Sequence, residues 1–191
     1  MPDLTIFAGP NGSGKSSTIV WFGFEGKENL LDPDAIAKRI NKADPRCAAV
    51  AAGREVIRRT QEYVNQRQSF AIETTLAGQR VLGAIRSASE AGFFVRLIYL
   101  CLDSPERCMQ RVQERVSHGG HDIPDEDIRR RYNRSLKSLP EVLHLVHEAV
   151  VYDNCGTEPR KMLEIRTGII TWRAASQPLW VNDVVAAMRQ G

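Results

Sequence analysis

Short apolar runs alternate along the chain with longer stretches in which apolar residues recur every three or four positions. The short runs are typical of buried strands, and the longer pattern is typical of amphipathic helices. Five runs predict strands, at residues 4–8, 29–31, 70–73, 95–102 and 150–153. This alternation predicts an α/β fold with a mostly parallel sheet and helices on both faces. Ligands of such sheets bind at the carboxyl ends of the strands.

The last forty residues carry a different pattern. Two further strand-like runs, 162–166 and 169–173, flank Thr167 and Gly168, which predicts a β-hairpin. Residues 181–189 then predict a terminal helix. We expect Trp172 and Trp180 to be packing anchors for this segment.

Length, charge and cysteine usage narrow the class of protein. A chain of 191 residues predicts one domain, 1–191, and its net charge of +3 is too small to indicate nucleic-acid binding. The four scattered cysteines form no C-x-x-C pair, which favours reduced thiols in the cytoplasm over a zinc or redox site. Neither a signal peptide nor a long apolar run is evident, so we expect a soluble protein without a membrane partner.

One stretch matches the phosphate-binding P-loop (Walker A) pattern G-x-x-x-x-G-K-[ST], and it follows the first predicted strand. Residues 17–22 can continue as a helix, which is the setting that the motif needs. Backbone N–H groups and the helix N-terminus favour an anion there, Lys15 supplies charge to the β- and γ-phosphates, and the Ser16 hydroxyl can ligate Mg²⁺. We therefore expect ATP and Mg²⁺ as cofactors. The expected phosphate-binding residues are Gly9, Pro10, Asn11, Gly12, Ser13, Gly14, Lys15, Ser16 and Ser17.

An acidic turn follows the second predicted strand. Asp32 can cap a helix, with Pro33 at its first position and Asp34 in its first turn. Asp34 can also lie at the carboxyl end of the strand and take a proton from an attacking hydroxyl. Both interpretations can hold at once.

The third predicted strand ends in Glu73, Thr74 and Thr75. A turn capped by threonine explains this ending without any function. Alternatively, Glu73 accepts a hydrogen bond from a substrate hydroxyl or from water on Mg²⁺, with Thr75 beside it in the acceptor site.

Two arginine-bearing helical patterns are joined by the loop His118-Gly119-Gly120-His121. For any single arginine, a solvated basic face is the simpler interpretation. The cluster as a whole predicts a lid, residues 105–136, that clamps phosphates with bidentate guanidinium groups. We interpret the loop as its hinge rather than a metal site, because no further ligand stands at the required spacing. The arginines are Arg107, Arg111 and Arg115 on the first helix, and Arg129, Arg130, Arg131 and Arg134 on the second.

Taken together, these motifs resemble the zeta-toxin family of P-loop kinases over about residues 3–155. The most specific stretch runs from Pro105 to Leu136. It contains Arg111-Val112, Arg115-Val116, Gly119-Gly120-His121-Asp122-Ile123-Pro124, Arg130-Arg131-Tyr132 and Arg134-Ser135-Leu136. The resemblance also covers residues 9–16, 32–34, 73–78, 92–102 and 152–154.

The resemblance implies a P-loop NTPase/kinase fold and ATP-dependent phosphorylation of a hydroxyl on a nucleotide sugar, typically UDP-N-acetylglucosamine. It implies that Asp34 is the base, that Glu73 binds the substrate, and that Arg115 and one of Arg130 or Arg131 clamp phosphate. Asp32 departs from the family pattern, in which asparagine is expected. An antitoxin protein is a candidate partner, although it does not follow that this chain is a toxin.

Three hypotheses remain open from the sequence. The first is a kinase that phosphorylates a UDP-amino sugar, with Lys15, Asp34, Arg115 and Arg131 as catalytic residues and Arg130 on the nucleotide. The second is a kinase for another small alcohol or a nucleotide. The third is a regulatory NTP-binding protein that contacts nucleic acid through its arginines, for which an acceptor site at Asp34 and Glu73 is not needed. We do not expect nucleic acid as a partner.

Overall fold

The computed structural model describes residues 1–120 and 122–190, so His121 of the predicted hinge lies outside the described residues. Within these described residues, seven strands and seven α-helices follow one another. The strands are β1 Asp3–Ala8, β2 Leu30–Leu31, β3 Phe70–Thr74, β4 Phe94–Cys101, β5 Glu148–Asp153, β6 Arg160–Arg166 and β7 Ile169–Arg173. The helices are α1 Lys15–Ile19, α2 Pro33–Ile40, α3 Ala49–Gln66, α4 Arg80–Glu90, α5 Pro105–Ser117, α6 Asp125–Leu145 and α7 Leu179–Met188.

The seven strands form one sheet in the order β2-β3-β1-β4-β5-β6-β7. Strands β1 to β5 run parallel, and β6 and β7 are the antiparallel hairpin that the sequence predicts. Each predicted strand is confirmed, with ends that differ by no more than two residues. Because β1 pairs with both β3 and β4, the chain that leaves β1 emerges between the carboxyl ends of its two neighbours.

One face of the sheet carries most of the core. Alternate residues of β1, Leu4, Ile6 and Ala8, are fully buried there against helices α3, α4, α6 and α7. Trp180 of α7 is buried, and its ring centre lies 6.3 Å from that of Tyr99, so its role as a packing anchor is confirmed. Trp172 was wrongly predicted to be an anchor. It lies on β7 with 42% of its surface exposed and Lys161 Nζ 4.7 Å from its ring centre.

The other face is covered near β1 by aromatic rings rather than by a long helix. Residues 17–22 do not all continue as a helix, because α1 ends at Ile19 and the chain turns at Trp21 and Phe22. The Phe22 and Phe24 rings then pack 5.8 and 5.0 Å from that of Phe7. Burying two aromatic rings outweighs the small gain from another helical turn.

Among the described residues, no helix combines the length and the apolar character that a membrane span requires.

Candidate functional site

The P-loop, residues 9–16, connects β1 to α1 and is tied down on several sides. Lys15 is the first residue of α1, is 7% exposed, and donates from Nζ to the Pro10 carbonyl over 2.9 Å. The Gly9 N–H donates to the Thr74 carbonyl over 3.2 Å, which joins the loop to the end of β3. The loop is therefore held in place by bonds within itself and to its neighbouring strand.

Asn154, just after β5, supports the loop from the other side. Its Nδ2 donates to the Ser13 carbonyl over 2.8 Å, and the residue is almost fully buried. Gly14 has a φ of 93°, and a Cβ there would collide with Asn154 Nδ2. Gly12, with a φ of 78°, likewise has no room for a Cβ beside the Cys108 carbonyl of α5. Glycine is needed at both positions because the loop is closely packed and left-handed there.

The electrostatics of the loop favour an anion. Burial lowers the pKa of the Lys15 ammonium from its ordinary value, although the nearby Glu73 and Asp34 carboxylates oppose that shift. No carboxylate of the described residues lies within ion-pair distance of Lys15. Ser13 Oγ is also buried without a hydrogen-bond partner among the described residues. A desolvated cation gains most from a negatively charged ligand.

The acidic turn forms the predicted helix cap, and the role of Asp34 as a base stays a prediction. Asp32 is the N-cap of α2, and its Oδ1 accepts from the N–H groups of Asp34 and Ala35 over 2.8 and 3.2 Å. Pro33 is the first residue of the helix. Asp34 is exposed and lines the cavity described below, so the cap leaves its carboxylate free of the helix N-terminus. The extra carboxylate of Asp32 therefore has a structural function.

Glu73, at the end of β3, lies against the P-loop. Its Oε1 accepts from Ser16 Oγ over 2.9 Å. Burial raises the pKa of Glu73, and Lys15 is the main opposing charge. Thr74 Oγ1 accepts from the Leu76 N–H over 3.1 Å, so the threonine-capped turn exists, but it uses Thr74. Thr75 and Glu73 both line the cavity.

The arginines of α5 and α6 divide into two groups. Arg107 and Arg129 pair with Asp103 and Glu106 over 3.2 and 2.6 Å and do not line the cavity. For these two, the solvated basic face is the right description. Four further arginines line the cavity wall. They are Arg111, Arg115, Arg130 and Arg134.

Arg131 lines the cavity too, and it bridges α6 and the P-loop. Its Nη1 donates to Asn11 Oδ1 over 3.2 Å, and its Nη2 lies 3.9 Å from Asp127. Arg130 pairs more closely with the same carboxylate, at 2.7 Å. Both candidates for the second phosphate clamp therefore lie at the cavity, but only Arg131 contacts the loop.

The P-loop, Asp34, Glu73 and the five other arginines of α5 and α6 meet in one cavity of about 1160 Å³. Pockets for one drug-sized ligand measure about 300–1,000 Å³, so this one has room for a nucleotide and a second small molecule. Of the predicted phosphate-binding residues, Gly9, Pro10 and Ser13 do not line the cavity. The predicted site residues that line the cavity are Asn11, Gly12, Gly14, Lys15, Ser16, Ser17, Asp34, Glu73, Thr75, Arg115, Arg130 and Arg131.

The cavity extends to both sides of the P-loop, because β1, which the loop follows, lies between β3 and β4 in the sheet. We call these two sides the arms of the cavity. Asp34 follows β2, Glu73 lies near the end of β3, and together they form the acidic arm. The opposite arm follows β5, and sequence reasoning assigned none of its residues to the site. Those residues are Trp21, Phe22, Tyr152, Asn154, Gly156, Thr157 and Pro159. Two signals were available for Asn154: its place at the end of a predicted parallel strand, since such ends converge on one edge, and the resemblance over residues 152–154.

The residues present fit Mg²⁺ bound together with phosphates. Among the described residues, no cluster of three or more His, Cys, Asp and Glu side chains could hold a metal alone. Mg²⁺ in kinase sites is held by one or two protein oxygens, substrate phosphates and water. Ser16 Oγ, with Glu73 and Asp34 nearby, supplies that number of oxygens.

Comparisons with known proteins identify the family of this chain. A family model described as an AAA domain, AAA_33, matches residues 4–138, which is more than half of the chain. An uncharacterised protein of Haemophilus influenzae is 36% identical over 127 residues, which cover 66% of this chain and 90% of that protein.

Solved structures extend the likeness to the whole fold. The crystal structure of AvrRxo1-ORF1:-ORF2 with ATP matches 98% of this chain with a TM-score of 0.71 and 11% identity, and the chain spans 64% of its length. The PezAT chromosomal toxin–antitoxin system of Streptococcus pneumoniae matches all of this chain and 85% of its own, with a TM-score of 0.66 and 14% identity. These likenesses concern the fold, and with the family match they confirm a P-loop NTPase/kinase fold.

Proposed function

The chain belongs to the AAA_33 family of AAA domains, and on that premise we propose that it is an ATP-dependent kinase acting on a small molecule. It transfers the γ-phosphate of Mg-ATP to a hydroxyl of a UDP-amino sugar. The observation that supports this most is the meeting of Lys15 and Ser16 with Asp34 and Glu73 in one cavity. A phosphate cradle beside two carboxylates is the arrangement that phosphoryl transfer to an alcohol needs.

The chemistry follows from the positions of the side chains. Lys15 and the N–H groups of the P-loop stabilise the charge that develops on the transferred phosphoryl group. Arg115 and Arg131 add charge from the lid side of the cavity. When bound, Mg²⁺ neutralises phosphate charge, and Ser16 is the residue that would ligate it.

The acceptor lies on the acidic arm. The oxygen of the acceptor hydroxyl forms a bond to the γ-phosphorus while the bond from that phosphorus to ADP breaks. Asp34 takes the proton that the hydroxyl loses. Glu73 and Thr75 orient the acceptor by hydrogen bonds. Asp34 is suited to the role of base because the cap formed by Asp32 already satisfies the first N–H groups of α2.

The choice of a UDP-amino sugar rests on the resemblance of residues 105–136 to the zeta-toxin lid and on the fold shared with PezAT. The same resemblance supports an antitoxin protein as a partner. The four cysteines are free thiols, which supports a reducing cytoplasmic environment.

The proposal is tested by incubating the protein with Mg-ATP and a panel of nucleotide sugars and other alcohols, and recording product masses. We expect one added phosphate on a UDP-amino sugar, and none with the Lys15→Ala variant. Phosphorylation of a different alcohol would overturn the acceptor and leave the kinase. Phosphorylation by Lys15→Ala at the wild-type rate would overturn the site itself.

A further inference from the structure

Trp21 is the most exposed large aromatic side chain among the described residues. Its surface is 86% exposed, although tryptophan is usually mostly buried. It lines the cavity, and the next residue, Phe22, packs beside Tyr152 of β5. None of the steps assigned above uses it.

The backbone that carries Trp21 is firmly held. The Trp21 N–H donates to the Thr18 carbonyl over 3.0 Å. Lys27 Nζ donates to the carbonyls of Val20 and Phe22, on either side of Trp21, over 3.1 and 3.2 Å. The next residue, Phe22, packs with its ring centre 5.8 Å from that of Phe7. The indole is thus presented to the cavity from a turn whose backbone is already ordered. A ligand that binds there loses little free energy to ordering of the backbone.

The turn that carries Trp21 lies beside strand β5. The Phe22 ring lies 6.2 Å from that of Tyr152 on β5, centre to centre. Strand β5 lies on the opposite side of β1 from β2 and β3. Asp34 follows β2, and Glu73 lies near the end of β3. The P-loop lies between these two arms.

We propose that Trp21 forms a stacking platform for the nucleobase of the phosphate donor, with Thr157 and Pro159 lining the same arm. The inference rests on the proposed function, because it takes a nucleoside triphosphate as the donor. The γ-phosphate must meet the acceptor at Asp34, so the triphosphate crosses the P-loop and its base lies on the β5 arm. A stacking contact accepts any base, since every base has a π-face. The platform therefore predicts that GTP binds nearly as well as ATP.

The experiment compares nucleotides with a ligand that has phosphates but no base. Affinities of wild type, Trp21→Ala, Trp21→Phe and Trp172→Ala are measured by calorimetry for Mg-ATP, Mg-GTP and inorganic tripolyphosphate. Trp172 is the matched control, because it is also exposed and lies on β7 away from the cavity lining. We expect Trp21→Ala to weaken ATP and GTP about tenfold and to leave tripolyphosphate unchanged. Trp21→Phe should retain most of the affinity, and Trp172→Ala should resemble wild type.

Equal weakening of ATP and tripolyphosphate in Trp21→Ala would overturn the platform, because Trp21 would then only support the loop. Unchanged ATP affinity would overturn it as well. If UDP-N-acetylglucosamine, measured in the same way, loses affinity in Trp21→Ala while ATP does not, the proposal is overturned and the platform belongs to the acceptor. If wild type binds ATP no better than tripolyphosphate, the base contact fails while the phosphate site stands. If wild type binds neither, both this inference and the proposed function fail.

Discussion

The P-loop and the arginine-rich lid line the same cavity, but they are held differently. The loop is held by hydrogen bonds to backbone carbonyls, as in the contacts of Lys15 with Pro10 and of Asn154 with Ser13. In the lid, Arg131 and Arg111 donate to oxygens of Asn11 and Asn154, but other arginines pair with exposed or half-buried carboxylates, such as Arg129 with Glu106 and Arg130 with Asp127. Exposed ion pairs of this kind contribute only about 0–1 kcal/mol.

Under the proposed function, this difference predicts separate tasks for the two regions. The loop is ordered before any ligand arrives, so its charge acts on bound phosphate without rearrangement. The lid arginines can exchange a carboxylate for a phosphate at little cost, so their effect can be confined to the step in which charge develops. Variants in the loop and the lid should therefore differ in both size and kind of effect.

The largest effect is expected in the loop. Lys15→Ala should abolish measurable phosphoryl transfer, because the cation beside the β- and γ-phosphates is lost. The melting temperature should not fall, since burial of the ammonium is itself unfavourable. Product formation and thermal melting are measured side by side, with exposed Lys38→Ala on α2 as the control. Full turnover in Lys15→Ala would contradict the expectation that the P-loop contributes more to turnover than the lid does.

The next effect separates the base from the helix cap. Asp34→Asn should slow turnover by about 10²–10⁴-fold with nucleotide affinity nearly unchanged, because an amide does not take the proton. Asp32→Ala should show the opposite signature, a loss of about 1 kcal/mol in the free energy of unfolding. Steady-state kinetics, calorimetry and melting distinguish them. A sharp fall in melting temperature with turnover intact would make Asp34 only a helix residue.

A smaller effect is expected in the lid. Arg115→Ala and Arg131→Ala should each lower kcat by about 100-fold while weakening nucleotide binding much less. Arg107→Ala is the matched control, because its partners are Asp103 and the Cys155 carbonyl outside the cavity lining. Equal losses in all three variants would point to a diffuse basic surface and would contradict a phosphate-clamping lid.

The smallest effect is expected on the melting temperature, in a variant of Glu73, which lies where the P-loop meets the acidic arm. Because the pKa of Glu73 is raised in the folded protein, its ionised form destabilises the fold above that pKa. Glu73→Gln should therefore raise the melting temperature at pH 8 by roughly 2–4 °C. The gain should disappear as the pH falls towards the ordinary value of 4.5, where the unfolded chain also binds the proton.

Melting curves of Glu73→Gln and wild type at pH 8 and pH 5 test this expectation. Glu28→Gln, at an exposed position, is the control and should leave the melting temperature unchanged at both values. A lower melting temperature for Glu73→Gln at pH 8 would show that the carboxylate stabilises the fold through Ser16 and Lys15.

The features that the sequence predicts well are those determined by neighbours along the chain. The P-loop spacing, the cap by Asp32 before Pro33, and the hairpin around Thr167 and Gly168 depend on a few adjacent residues, and the structure has all three. The parallel strands were predictable for a similar reason, because continuous apolar runs indicate burial on both faces.

The features that were missed depend on distant residues. The end of α1 at Ile19 is decided by packing of Phe22 and Phe24 on Phe7, which no local pattern shows. Trp172 looked like a core residue by type, but its strand lies at the edge of the sheet. The β5 arm was missed because a tryptophan or proline near a pocket has no sequence signature of its own.

The support that Asn154 gives the P-loop has a consequence for synthesis of the chain. Its bond to Ser13 spans 141 positions, and residue 154 lies beyond the segment 4–138 that the family model matches. At translation rates of about 5–20 residues per second, on the order of ten seconds pass between making the two partners. A ribosome-bound chain therefore holds its nucleotide loop without this support until β5 has emerged. Completion of the phosphate cradle therefore comes well after synthesis of its motif.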